Sequence, residues 1–204
     1  MKAVERYVEK FQPEHYRLFL DINRREKRFS GTVAIKGLAV SQEISLHQKG
    51  LEISSVMVAG QALDYRMDEE HEAVHIQLEE RGEQLVELTF SGQVTDEMTG
   101  VYPSYYRLEG EKKEIISTQF QSHFARQVFP SVDEPAAKAR FDLSLTFDQE
   151  EGDIALSNMP EIKVEERLQT GIWTFATTPR MSTYLLAFAL GALHGQRTTT
   201  KKGT

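Results

Sequence analysis

Residues 117–141 read STQFQSHFARQVFPSVDEPAAKARF, and this segment joins two strand patterns through a polar turn region. At its start, polar and apolar residues alternate, which places Gln119 and Gln121 on one face of a strand. Two prolines then interrupt the alternation, because a fixed proline φ and short polar side chains favour turns over strand pairing. A second strand pattern begins at Phe141. The segment therefore predicts a functional loop held between two strands.

Alternation of apolar and polar residues continues along most of the chain and predicts a series of strands. Only residues 4–11 favour a short helix. Strands that follow one another through glycine-containing turns, without helices between them, are typical of an all-β fold. We therefore expect a large antiparallel β-sandwich or saddle. The predicted strands are 16–22, 33–35, 44–46, 51–58, 74–78, 85–90, 102–108, 116–121, 141–147, 154–156, 162–164, 173–176 and 184–190.

The domain organisation predicted from the sequence is simple. Residues 1–195 contain no repeat, low-complexity tract or interior linker, so we expect one β domain there. Residues 196–204, QRTTTKKGT, are polar and contain a β-branched run, which predicts the beginning of a further strand. The hypothesis is that this strand is truncated and that the chain is a fragment of a longer protein.

Composition excludes several classes of function. The formal net charge is −7 over 204 residues, which argues against nucleic-acid or anionic-membrane partners, since these need clustered Lys and Arg. No apolar run approaches the roughly 20 residues that span a bilayer, and the N-terminus lacks the apolar core of a secretory signal. The chain has no cysteine, which excludes thiolate metal ligands and suits a reducing compartment. We expect a soluble cytoplasmic protein.

His71-Glu72-Ala73-Val74-His75 matches the H-E-x-x-H pattern of zinc peptidases. That chemistry needs a helix, because only there do side chains four residues apart meet at one ion. The surrounding alternation instead predicts a strand, on which the two histidines would be roughly 13 Å apart. Position 94, where such peptidases carry a third ligand, is Val94. We therefore expect no metal site in this chain, and a solvated turn and strand edge here.

The carboxylates of Asp133 and Glu134 are adjacent in sequence, which does not make them an acid–base pair. We expect Asp133 to cap a short turn beginning near Pro135, with Arg126 paired to one of the two carboxylates. From the residues alone, Gln119 and Gln121 fit either an exposed sheet surface or a ligand site.

Three ordered motifs resemble the N-terminal domain of the M1 family of zinc aminopeptidases, the aminopeptidase N group, in the form found in lactic-acid bacteria and streptococci. The first is the opening segment itself, with T-Q-F-Q, A-R, F-P and D-E-P in family order. The second is G-V-Y-P-S-Y-Y at 100–106, and the third is M-S-T-Y-L-L-A-F at 181–188. The resemblance covers essentially the whole chain.

This resemblance implies a β-sandwich that packs on a downstream thermolysin-like catalytic domain of the same chain. It implies that Gln121 binds the free α-amino group of peptide substrates and lines the first side-chain pocket, with Gln119 as its neighbour. It also implies that the cofactor of the full-length enzyme is zinc, bound by motifs that are absent here. We therefore expect no catalytic residue in these 204 residues, no bound cofactor and no hydrolysis by the isolated chain.

Two alternatives are open at this point. One is a stand-alone protein-interaction β-sandwich without a peptidase partner, since acidic sandwiches commonly bind other proteins. The other is a compact β-type metalloenzyme that uses His71 and His75. A downstream reading frame with the missing motifs would favour the aminopeptidase interpretation over both.

Overall fold

A computed structural model describes residues 5–108, 110–195 and 199 of the chain. Within these residues the chain forms fourteen strands, one α-helix and three 3-10 helices. The strands are β1 (Phe11–Asn23), β2 (Arg28–Ala39), β3 (Glu43–His47), β4 (Glu52–Val58), β5 (Gln61–Ala62), β6 (Tyr65–Asp68), β7 (Ala73–Gln77), β8 (Gly82–Gln93), β9 (Gly100–Leu108), β10 (Glu111–Gln119), β11 (Arg140–Phe147), β12 (Ile154–Ser157), β13 (Trp173–Thr174) and β14 (Phe188–Gly191). The α-helix is α1 (Val164–Thr170), and the 3-10 helices are Tyr7–Glu9, Ala125–Gln127 and Thr183–Leu185.

The strands form three sheets. A seven-stranded sheet has the order β13-β11-β1-β2-β8-β4-β5, a four-stranded sheet has the order β12-β14-β10-β9, and a three-stranded sheet has the order β3-β7-β6. Strands β1 and β11 pair in parallel, and the other pairs between the described strands are antiparallel. The predicted all-β sandwich is confirmed, with this one parallel pair as an addition that the alternation did not indicate.

The opening segment is anchored in the core by aromatic packing. Tyr16 of β1 stacks on Phe141 of β11, with ring centroids 4.8 Å apart and planes at 9°. Phe129 packs edge-on against both rings, at 6.2 and 6.5 Å, and also against Phe120 at 6.2 Å. All four rings are buried, and each aromatic side chain removes a large apolar area from water. The polar loop therefore has an apolar underside that fixes it to the sandwich.

The prediction of a strand at 162–164 is wrong. Lys163 has a left-handed φ of 70° and precedes α1, whose first turn carries Glu165 and Glu166. Negative side chains in the first turn stabilise a helix, because they lie near the positive end of its dipole. The helix ends at Gly171, whose φ of 74° allows the left-handed C-terminal turn. These helix signals outweigh three residues of alternation.

Two further predicted boundaries also differ. The strand expected at 184–190 is a 3-10 helix, Thr183–Leu185, followed by β14 from Phe188. The helix expected at 4–11 is reduced to the 3-10 turn Tyr7–Glu9, and residue 4 lies outside the described residues. Of the predicted polar segment 196–204, the structure describes residue 199 alone. The limits of the domain at 1–195 stay a prediction.

Candidate functional site

The two candidate glutamines are adjacent but have different structural settings. Gln119 is the last residue of β10, whereas Gln121 lies beyond the strand end, in a turn closed by the Phe124 backbone N–H donating to the Phe120 carbonyl at 2.9 Å. The expectation that the strand continues through Gln121 is therefore wrong. Gln121 is exposed, and the peptide bond that follows it is cis.

The side chain of Gln119 supports the turn. Its Oε1 accepts a hydrogen bond from the Gln121 backbone N–H at 3.1 Å. This bond ties the side chain of Gln119 to the backbone of the turn that carries Gln121. The structure thus brings the two predicted residues together, with Gln119 contacting the backbone of Gln121.

The residues after Gln121 complete an exposed polar tip. Ser122 Oγ and His123 Nδ1 are 2.8 Å apart and share a hydrogen bond, and the His123 ring stacks on Phe124 with centroids 4.8 Å apart. Two contacts therefore orient the exposed imidazole. The sequence patterns do not single out this pair, because the contact between Ser122 and His123 forms only in the folded turn.

Asp133 is the centre of a buried hydrogen-bond network beneath this tip. Its residue exposure is 3%, and its Oδ1 accepts from Thr183 Oγ1 at 2.6 Å. Its Oδ2 accepts from the backbone N–H and the Nε–H of Arg126, at 3.3 and 3.2 Å. The predicted pairing of Arg126 with one of the two carboxylates is confirmed. The predicted capping role of Asp133 is not found, because its carboxylate points to these partners.

The neighbouring carboxylate, Glu134, binds the N-terminal segment. Its Oε1 accepts from the backbone N–H groups of Tyr7 and Val8 at 2.6 and 3.3 Å, and its Oε2 contacts Arg6 Nε at 3.3 Å. The carbonyl of Pro135 accepts from Ser182 Oγ at 2.7 Å. The D-E-P motif therefore contacts both the N-terminal segment and the segment around Ser182.

The H-E-x-x-H segment contributes to the same network without forming a helix. Glu72 has a φ of 51° and ends a turn, after which β7 begins. Its two carboxylate oxygens contact Lys49 Nζ at 2.7 Å and Arg126 Nη1 at 3.2 Å. Burial opposes ionisation of Glu72, but these two hydrogen bonds outweigh it and lower its pKa. The glutamate of the motif is thus an anchor for Arg126.

The two histidines of the segment are closer than predicted. His71 Nδ1 and His75 Nε2 contact the same oxygen, Asp68 Oδ2, at 3.1 and 3.4 Å. The predicted separation of roughly 13 Å is wrong, because the turn before β7 folds His71 back towards Asp68. The backbone N–H and then the imidazole of His71 hydrogen-bond to Asp68 and lower its pKa to about 2. The other imidazole nitrogen of His75 faces Ser45 Oγ at 2.8 Å.

His47 links the network to β3. Burial lowers the pKa of its imidazole to about 3, and repulsion by the Arg126 guanidinium acts in the same direction. The ring is therefore neutral at pH 7, and its Nδ1 accepts from the Asp133 backbone N–H at 3.1 Å. The side chain also packs on Tyr7, with ring centroids 4.3 Å apart.

Similarity to known proteins identifies the family of this chain. Residues 12–185 match the family model described as the Peptidase M1 N-terminal domain. The chain belongs to this family. Aminopeptidase N of Lactococcus lactis subsp. lactis is 63% identical over 203 residues, which are 99% of this chain and 24% of that protein.

More distant relatives agree with this assignment. Aminopeptidase N of Lactobacillus helveticus is 46% identical over 98% of this chain and 24% of its own length. A probable aminopeptidase 2 of Sulfurisphaera tokodaii is 35% identical over 87% of this chain and 22% of its own length. The M1 N-terminal domain described here thus spans about a quarter of the length of these relatives, and the rest of each lies outside the matched region.

Two cavities of this M1 N-terminal domain, both lined by described residues, lie away from the tip. One of about 820 Å³ lies on the outer face of the seven-stranded sheet, between Thr32, Met57 and Ile162. Another of about 480 Å³ lies under the loop, beside His47 and Arg126. Neither of these two cavities is lined by Gln119 or Gln121.

The described part of the M1 N-terminal domain has neither a metal-ligand cluster nor a membrane-spanning helix. Among residues 5–108 and 110–195, no group of three or more His, Cys, Asp or Glu side chains is arranged to hold a metal ion. In the same part of the chain, no helix has the length and apolar character needed to cross a membrane.

Proposed function

We propose that this chain is the substrate-recognition domain of a zinc-dependent aminopeptidase that removes N-terminal amino acids from peptides. In this proposal Gln121 binds the free α-amino group and lines the first side-chain pocket, and the domain itself supplies no catalytic residue. The observation that carries the proposal is the position of Gln121, which is exposed at the tip of a turn anchored by the core, by Gln119 and by the buried Asp133 network.

The chemistry of Gln121 suits an ammonium ligand. A substrate ammonium has three donors, and the side-chain amide oxygen of glutamine accepts hydrogen bonds without carrying charge. Hydrogen bonds to a charged group contribute about 1.5–3 kcal/mol, more than bonds between neutral groups. Because glutamine lacks a full charge, the proposal includes a second carboxylate from outside this chain that completes the amine site.

The remaining wall and the catalytic zinc are assigned to a downstream thermolysin-like domain. The exposure of Gln121 supports this division, as does the length of the relatives, of which the chain spans about a quarter. The residues described here do not fit a zinc site, so no catalytic step is assigned to them. The proposed location of the enzyme is the cytoplasm, in keeping with a chain that has no cysteine.

The test is steady-state kinetics of the full-length enzyme with a chromogenic amino-acid amide. Gln121→Ala is expected to raise KM about tenfold or more, because a hydrogen bond to the substrate ammonium is lost. Gln61→Ala is the matched control, since Gln61 is also exposed but lies in β5 at the edge of the seven-stranded sheet. Equal KM values for the two variants would contradict the role of Gln121.

A second test concerns the absence of catalysis in this chain. The isolated chain, assayed with the same amide and added zinc, is expected to show no turnover above a protein-free blank. Turnover that a chelator abolishes and that His75→Ala removes would overturn the assignment of catalysis to another domain.

A further inference from the structure

We infer that Asp133 is a positioning residue for amine recognition, acting through Arg126 and Thr183 on the turn that presents Gln121. This inference rests on the proposed role of Gln121. It extends that role from the exposed tip to a buried carboxylate that contacts no substrate.

Asp133 is almost fully buried. Its side-chain exposure is 1%, and every acceptor that the structure shows for it is used, by Thr183 on Oδ1 and by Arg126 on Oδ2. A buried charge with such partners holds them in one arrangement, because any movement leaves a charged group unpaired in a medium of low dielectric.

Arg126 is held by contacts of both its side chain and its backbone. Its Nη2 donates to the Asp133 carbonyl at 3.2 Å, its Nη1 contacts Glu72, and its own carbonyl accepts from the Lys49 backbone N–H at 2.9 Å. Side chain and backbone are therefore both fixed. Arg126 is the central residue of the 3-10 helix that follows the turn.

Arg126 lies in the 3-10 helix that follows the turn carrying Gln121. The turn has two fixed ends: the buried Phe120 on one side and the 3-10 helix, Ala125–Gln127, on the other. The Phe124 backbone N–H bonds across it to the Phe120 carbonyl. Residues 121–124 lie between these anchors, and the first three of them are exposed, so the position of Gln121 depends on both ends. Small displacements of a substrate-positioning group have large kinetic effects.

Thr183 gives the network a third support. It belongs to the M-S-T-Y segment, fifty residues after Asp133, and its hydroxyl donates to the carboxylate at 2.6 Å. The adjacent Ser182 bonds to the Pro135 carbonyl, so the segment holds both sides of the D-E-P turn. Two of the three motifs that resemble the family in sequence thus meet at Asp133.

The test is a double-mutant cycle in the full-length enzyme, with KM and kcat measured for an amino-acid chromogenic amide. Asp133→Asn removes the negative charge that Arg126 binds. It is expected to raise KM about tenfold, with kcat changed less than about threefold. In a Gln121→Ala background, the same substitution is expected to change KM less than about twofold, because the group it positions is gone.

Asp153→Asn is the matched control. The side chain of Asp153 is also largely buried, with 4% exposure, and binds Arg24 Nη2 at 2.6 Å, but it lies outside the loop. It is expected to lower the melting temperature and leave KM unchanged. If Asp133→Asn does not fold, Thr183→Val replaces it, with an expected rise in KM of about threefold that also disappears in the Gln121→Ala background.

The outcomes separate the two proposals. If Gln121→Ala raises KM but Asp133→Asn has the same effect with and without Gln121, the positioning role is overturned and the role of Gln121 stands. If Gln121→Ala leaves KM unchanged, the proposed function fails first. If Asp153→Asn raises KM as much as Asp133→Asn, the effect is general destabilisation and the positioning role is overturned.

Discussion

Thr183→Val is the substitution that tests the buried network most simply. Valine has nearly the shape of threonine, so the change removes one hydroxyl and leaves the packing in place. Thr183 is fully buried and Asp133 is 3% exposed, so water does not replace the lost donor at Asp133 Oδ1. A hydrogen bond to a buried charged group contributes about 1.5–3 kcal/mol, and the unsatisfied acceptor places the expected loss near the upper end, at about 2–3 kcal/mol.

The assay is equilibrium urea denaturation of the chain, followed by circular dichroism. With a urea m-value of about 2–3 kcal/mol/M, the midpoint is expected to fall by about 1 M. Thr183→Ser keeps the hydroxyl and loses one methyl group, with an expected cost of about 1 kcal/mol. A valine variant as stable as the serine variant, or within about 0.5 kcal/mol of the parent chain, would refute the reasoning.

Two further predictions concern stability. His47 has its pKa lowered to about 3 by burial, so the unfolded chain binds one more proton than the folded chain between pH 3 and 6.5, and stability falls as pH decreases through this range. His47→Asn keeps an acceptor for the Asp133 backbone N–H. In urea titrations between pH 3 and 6.5, this variant is expected to reduce the slope of unfolding free energy against pH by up to about 1.4 kcal/mol per pH unit. An unchanged slope would contradict the lowered pKa of His47. Gly31→Ala places a Cβ 2.4 Å from the Phe19 carbonyl oxygen and is expected to cost about 2 kcal/mol or more, whereas Gly195→Ala meets no atom within 4 Å and is expected to be neutral in thermal denaturation. Equal melting temperatures for the two glycine variants would contradict the packing of β1 against β2.

The sequence predicts best those elements in which one face is buried. In β1 and β11 the apolar residues recur at every second position, and the structure buries them, as with Leu18 and Leu143. Burial of one face of a sheet imposes that period directly. The parallel pairing of the two strands has no such local signal, because it depends on how the intervening chain is folded.

Failures occur where local alternation is short or where contacts are distant in sequence. The strand predicted at 162–164 rests on three residues, and Gly171 with two acidic residues in the first turn gives the helix a stronger signal. The partners of Arg126 lie at positions 49, 72 and 133, so no spacing rule connects them. The left-handed backbone of Glu72 likewise brings the two histidines together against the expectation for an extended strand.

The candidate site, like the fold, is predicted only in part by the sequence. The resemblance to the M1 family directs attention to Gln119 and Gln121, and the structure places them in contact. It does not indicate that Gln119 bonds to the backbone of Gln121 or that Gln121 lies outside the strand. Those features depend on the turn that begins at Phe120, whose geometry is set by the aromatic core beneath it.

The most direct measurement of the central claim compares two competitive inhibitors of the full-length enzyme: an amino-acid amide and its des-amino analogue. The inhibition constants are measured for the parent enzyme and for Gln121→Ala. The account predicts that the variant binds the amine-bearing ligand about tenfold or more weakly and the des-amino analogue with unchanged affinity, because only the former offers an ammonium to the glutamine oxygen. Equal losses for both ligands, or no loss for either, would contradict recognition of the amino group by Gln121.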